Sequence, residues 1–185
     1  MKTIRAALAL AATLGAMPPF APAQAGDFGI SEMRVGVMAH DADNHKFIDV
    51  SHVEDVNFEV LFRTPMIGVF DWLGTVRPTV GATLNLKGRE SMVHAGLSLN
   101  VPLGDSGFFV EGTLGGAIHN GEFLATKKGY RDLGCRALFY QSASLGYDVS
   151  SSMNVMLTIE HASNANLCDY NRGLTDIGVR VGFKF

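Results

Sequence analysis

The chain has 185 residues, a formal net charge of −3, 18% charged residues and 21 glycines. Charge so close to balance excludes the broad basic surface on which nucleic-acid binding depends. Beyond the first 25 residues there is no run of about eighteen apolar residues, which excludes membrane-spanning helices, and what remains has the length of one domain.

The N-terminus reads as an export signal. Lys2 and Arg5 form a charged start, Ala6 to Ala16 a short apolar stretch, and Ala23-Gln24-Ala25 a small-residue cleavage pattern. An uncleaved anchor is the competing reading, but the stretch is too short to span a bilayer. The expectation is a signal peptide at 1–25, removed on export, and a folded domain at 26–185. Export without a helical anchor leaves the periplasm, secretion or an outer-membrane barrel.

Eight alternating segments follow. Met33, Val35, Val37 and Ala39 alternate with Arg34, Gly36, Met38 and His40. Val56, Phe58, Val60 and Phe62 form the second apolar face, Val80, Ala82, Leu84 and Leu86 the third, and Val93, Ala95, Leu97, Leu99 and Val101 the fourth. Val110, Leu114 and Ile118 share the fifth. Ala137, Phe139, Ala143, Leu145 and Tyr147 make a sixth, interrupted by Gln141. Val155, Leu157, Ile159, His161 and Ser163 lie on one parity of the seventh, and Ile177, Val179, Val181, Phe183 and Phe185 on one parity of the eighth. The opposite parity carries Gly, Thr, Ser, Asn and charges.

Strands of roughly ten residues suit a tilted crossing of a bilayer, and a wall with one apolar and one polar face suits a barrel with lipid outside. The expected fold is all-β, an eight-stranded antiparallel transmembrane β-barrel of the outer membrane. A soluble lipid-binding barrel alternates as well, with its apolar face inward, and parity alone does not separate the two. Outer-membrane barrels often end, as this chain does, in an aromatic residue after an alternating strand. With both ends in the periplasm, Gly104-Asp105-Ser106-Gly107 and Asp148 to Ser152 are short periplasmic turns. Pro65 to Thr75 is a longer one that holds Trp72 at the interface. His40 to Asp55, Lys87 to Ser91, His119 to Asp132 and Asn164 to Gly173 are then the outer loops.

A period of two points His161 and Ser163 the same way, on the apolar face. A base and a hydroxyl together on a lipid-facing surface suggest acyl chemistry on a lipid. Cys135 and Cys168 are two cysteines in an exported chain, which reads as one disulfide at the outer rim, the alternative being two free thiols. Their spacing does not resemble a zinc site.

His161-Ala162-Ser163-Asn164-Ala165, then Asn171-Arg172-Gly173, then a strand ending in Phe185, resembles the lipid A 3-O-deacylase family (PagL). The resemblance is sharp over Gly134 to Phe185 and architectural elsewhere. It implies a Gram-negative outer-membrane enzyme that cleaves the ester-linked acyl chain at position 3 of lipid A, within lipopolysaccharide. It implies Ser163 as nucleophile, His161 as general base and Asn164 as a residue that helps form the oxyanion hole. No metal or cofactor is called for. The chemistry needs such a set, because a hydroxyl attacks an ester when a base takes its proton and donors meet the oxyanion. The family's third member is a Glu on the last strand, and that position is Thr175 here. Asp176 is acidic and adjacent, but it lies on the inward parity, and only a bulge would re-aim it.

His40, His45, His52, His94 and His119 read as structural, with no partner evident in the sequence. Glu160 faces the lumen, where pairing with Arg180 or another basic residue is expected. Asp41, Asp43 and Asn44 lack the spacing and closing Glu of a calcium loop and read as solvated. Asn166, Asp169 and Asn171 read as turn formers. The functional alternatives are a non-catalytic small barrel with a structural or adhesion role and a soluble periplasmic lipid binder. The sequence leaves a homodimer open.

Overall fold

A computed structural model describes residues 29–42, 50–64, 72–126 and 129–185. The expected signal segment lies outside these residues, as do Asp43, Asn44, His45 and positions 65–71. Eight strands follow in order: β1 (Ile30–Ala39), β2 (Val53–Phe62), β3 (Thr75–Asn85), β4 (Met92–Pro102), β5 (Phe108–His119), β6 (Ala137–Ser150), β7 (Met153–Ser163) and β8 (Leu174–Lys184). Each pairs antiparallel with its neighbour, and β1 pairs with β8, so the barrel is closed. Closure removes the sheet edges, and every strand finds its main-chain partners within the wall.

The alternation sorts side chains as the sequence predicts. Val35, Phe58, Leu97, Leu114, Leu157 and Val179 are exposed on the outer wall, a continuous apolar band suited to hydrocarbon. The polar parity points inward. Arg34 sits between Glu32 (2.8 Å), Glu59 (2.9 Å) and Glu111 (2.5 Å). Arg77 joins Glu32 and Glu111, and Arg180 joins Glu59 at 3.1 Å. The Arg34 and Glu59 side chains are 0% exposed. Charges shut away from water persist when each meets an opposite charge, and here acids and guanidinium groups bridge the lumen from five strands.

Glu160 departs from expectation. It accepts hydrogen bonds from Tyr140 Oη (2.9 Å), Thr83 Oγ1 (2.5 Å) and Asn57 Nδ2 (3.4 Å), and none of its ion-pairing falls on Arg180. The register explains this. Met156 lies opposite Arg180, and Glu160 lies opposite Asp176.

The two ends of the barrel differ. At one end β4–β5 and β6–β7 are joined by tight turns; at the other, the β5–β6 and β7–β8 loops are longer. Leu133, from the first of these loops, packs with Met92, Ala117, Leu138, Tyr140, Ala162 and Leu174 in a buried apolar plug at that end. The plug lies directly behind the segment where β7 ends.

Candidate active site

His161 and Ser163 stand on the outward parity of β7, with exposed Val155 and Leu157 below them on the same face. Each is half-buried. Register sets their neighbours. Gln141 of β6 lies opposite His161, Phe139 lies opposite Ser163, and Thr175 of β8 lies on the other side of His161.

The imidazole is fixed from two directions. Its Nδ1 lies 2.8 Å from Thr175 Oγ1. Its edge lies against Gly173, which has φ +63; a methyl group there would sit 2.7 Å from Cε1 and 3.2 Å from Nε2. Only a residue without Cβ takes this backbone conformation freely and leaves room for the ring. The sequence singled out Gly173 as part of a motif; the structure gives it a steric purpose.

Ser163 Oγ makes no hydrogen bond among the described residues. Side chains two apart on a strand stand about 7 Å apart at Cα, on the same face of the wall. Asn164 is buried, and its three N–H groups are engaged. The main-chain N–H donates to Asn171 Oδ1 (2.9 Å), and the amide donates to Leu133 O (2.9 Å) and Tyr170 O (2.5 Å). Asn164 therefore ties the exit of β7 to both long loops, a role the sequence reading did not foresee. Gly134, at φ +68, lets the Tyr170 carbonyl approach closely, and the Cys135–Cys168 disulfide closes the same contact with a Cα separation of 6.0 Å.

Asp176 faces inward. Its Oδ1 accepts from the Asp41 main chain at 2.9 Å and lies 3.6 Å from His40 Nδ1. Thr175, not Asp176, shares the His161 face.

Below His161 the outer wall is hollowed. A depression of about 770 Å³ runs along it, lined by Leu97, Val110, Leu114, Ala143, Ile159 and His161 among others. Its floor follows from register: Gly112 and Ala143 are direct cross-strand partners on the outward face, with Leu99 and Ile159 on either side. Small side chains side by side, between large ones, make the hollow. Parity could not reveal it, because the feature belongs to paired strands and not to either strand alone.

A second polar cluster lies inside the barrel, at the loop end. His40 Nδ1 meets Asp55 Oδ2 at 2.8 Å, and Nε2 meets Glu90 Oε2 at 3.3 Å. Burial alone would lower the His40 pKa, but Asp55, Glu90 and Asp176 outweigh it and raise it to about 9. Burial likewise favours a neutral Glu90, yet its bonds to His40 and the Arg131 main chain hold its pKa below the usual value. His40, Asp55 and Asp176 present metal-ligand atoms within 4.8 Å of one another. A metal would have to displace the proton that this acidic shell holds on the ring. The sequence showed His40 without partners, because its partners come from three other parts of the chain.

The profile of the lipid A 3-O-deacylase (PagL) family matches residues 55–184, which include most of β2, all of β3 to β8 and every residue of the outer-face cluster. No curated protein matches the chain. Among solved structures, the outer membrane enzyme PagL is 16% identical, covering 85% of this chain and 100% of its own, with a TM-score of 0.53. The N-terminal β-barrel domain of Pseudomonas aeruginosa OprF is 11% identical, covering 84% of this chain and 97% of its own, with a TM-score of 0.56. At these identities the structures speak for the fold, an eight-stranded outer-membrane barrel. The profile match extends across most of the sequence, and by it this chain belongs to the lipid A 3-O-deacylase (PagL) family.

Proposed function

We propose that this protein removes the ester-linked acyl chain at position 3 of lipid A by a serine-esterase mechanism, with Ser163 as nucleophile and His161 as general base. The observation that carries the reading is the pairing of a threonine-anchored imidazole and a serine on the lipid-facing side of one strand, above an apolar hollow. A lipid held in the outer leaflet lies alongside this wall, and the hollow offers room for its acyl chain.

Thr175 Oγ1 accepts from Nδ1–H, which leaves Nε2 to take the Ser163 proton. The Ser163 oxygen forms a bond to the ester carbonyl carbon, and the tetrahedral oxyanion collapses as the sugar oxygen leaves with the proton from His161. Water, deprotonated by the same imidazole, then attacks the acyl-enzyme and releases the fatty acid. Asn164 contributes to the oxyanion hole by fixing the loop from Ala165 to Gly173 beside Ser163. Thr175 orients the ring but brings no charge to the imidazolium, so turnover is slow relative to an enzyme with a carboxylate there.

In this reading residues 1–25 direct export and are removed, and the long-loop end faces the cell exterior. Mass spectrometry of lipid A from cells producing the wild type or Ser163→Ala tests it. The wild type should yield lipid A lighter by one 3-linked acyl chain, and Ser163→Ala should yield none. Equal trimming by the two removes Ser163 from the chemistry.

A further inference from the structure

Most of the described arginines of this barrel meet a carboxylate, and two that do not flank the end of β7. Arg34, Arg77, Arg89, Arg131 and Arg180 each meet a carboxylate. Arg136 and Arg172 meet none among the described residues, and both are exposed. The acids nearest in sequence, Asp132 and Asp169, form no ion pair with either.

Their placement follows from the wall. β7 carries Ser163; Arg136 lies just ahead of β6, on one side of it, and Arg172 just ahead of β8, on the other. The disulfide one residue before Arg136 and the Gly134–Tyr170 contact hold the segment before β6 against the loop before β8. Arg172 is one residue from Gly173, which touches the imidazole.

Arg136 is held ready. Its Nη1 donates to His119 O (2.7 Å) and Gly121 O (3.0 Å), and its Cζ lies 4.9 Å from the Phe123 ring centroid. Carbonyl oxygens and a ring face orient a guanidinium without neutralising it, and its remaining N–H groups stay available. Among the described residues the Arg172 side chain makes no hydrogen bond or ion pair. A planar fork of donors with an unspent charge is the arrangement that binds phosphate.

We infer that Arg136 and Arg172 form a two-armed receptor for a phosphomonoester on the headgroup of the glycolipid substrate, straddling the end of β7. The choice of ligand rests on the deacylase reading, because lipid A carries phosphate on the same disaccharide that bears its acyl esters. With the phosphate gripped at the rim, the ester is positioned over Ser163 and the chain descends into the hollow.

The test uses binding for the receptor and turnover for the chemistry. Lipid A, the same lipid A after enzymatic dephosphorylation, and inorganic phosphate are titrated against the detergent-solubilised Ser163→Ala barrel. The same titrations are made with Arg136→Gln or Arg172→Gln added. Each arginine change should weaken binding of phosphorylated lipid A about tenfold, the worth of a charged hydrogen bond, and leave the dephosphorylated form unchanged. Arg172→Gln is the decisive variant, since its side chain makes no contact that folding needs. Equal loss for both lipids, or no loss for either, overturns the receptor. So does competition by inorganic phosphate at concentrations matching the lipid, which would mark a free-anion site. Wild-type turnover is measured separately. Phosphate-dependent binding without turnover would retain the receptor and end the deacylase reading, whereas turnover with phosphate-independent binding would do the reverse.

Discussion

His161 Nδ1 and Thr175 Oγ1 lie 2.8 Å apart, a bond that joins β7 to β8 on the outer face of the barrel. In the proposed mechanism this bond occupies Nδ1 and leaves Nε2 to act as base. Thr175→Ala should lower kcat about five- to tenfold, the worth of one ordinary hydrogen bond, with KM little changed. Thr175→Glu should raise kcat above wild type, because a carboxylate both orients the ring and stabilises its charged form. Asp176→Asn acts inside the lumen and should leave kcat within about twofold, an effect smaller than one hydrogen bond. If steady-state kinetics on purified lipid A give the reverse order, the orienting group is Asp176.

Gly173 links the same imidazole to the loop that follows. Gly173→Ala puts a methyl group 2.7 Å from His161 Cε1, on a backbone at φ +63. The left-handed conformation costs a residue with Cβ about 1–2 kcal/mol, and the ring must move as well. The barrel should still fold, because Gly173 precedes β8, and kcat should fall at least tenfold. Heat-modified gel migration checks the fold, and turnover checks the ring. Unchanged turnover would mean that the ring position seen here is not the reactive one.

The hollow below His161 makes a separate demand. Ala143→Phe fills its floor between Gly112 and Ile159. KM for lipid A should rise about tenfold, since a drug-sized apolar contact is lost, while hydrolysis of a short acetyl ester stays near wild type. Equal loss on both substrates would point to a disturbed Ser163 instead of a blocked chain site.

The barrel was legible because a period of two is imposed along the chain itself. Val35, Leu97 and Val179 face lipid for the reason read from the sequence, and Thr175 shares the His161 face by the same parity. What stayed hidden depends on register between strands. Arg180 or another basic residue was expected to pair with Glu160, yet cross-strand pairing sets Met156 opposite Arg180, and Arg180 reaches Glu59 of β2, two strands away. The Gly112–Ala143 pair looked unremarkable in each strand and becomes a floor once the strands are aligned. His40 looked solitary until β2, β8 and the β3–β4 loop with its Glu90 closed around it. Asn164 was assigned by motif, and only the folded loops reveal the carbonyls of Leu133 and Tyr170 that hold it.

That His40 cluster predicts how stability depends on pH. The groups facing His40 are Asp55 from β2, Glu90 from the β3–β4 loop and Asp176 from β8, all acidic. Its pKa is raised from 6.5 to about 9, so the folded barrel binds the proton more tightly than the unfolded chain does. The contribution is complete below 6.5 and is lost as pH rises through about 9. It amounts to roughly 3 kcal/mol at most. Guanidinium unfolding of the barrel in detergent should therefore show a lower midpoint at about pH 10 than at about pH 6, the direction set by proton linkage. In His40→Gln this difference should shrink, because the amide holds no titrating proton, and the variant should already be the less stable of the two near neutrality. A wild-type midpoint that stays level or climbs across that interval would mean the imidazole is neutral in the folded protein and the acids around it are balanced by something else.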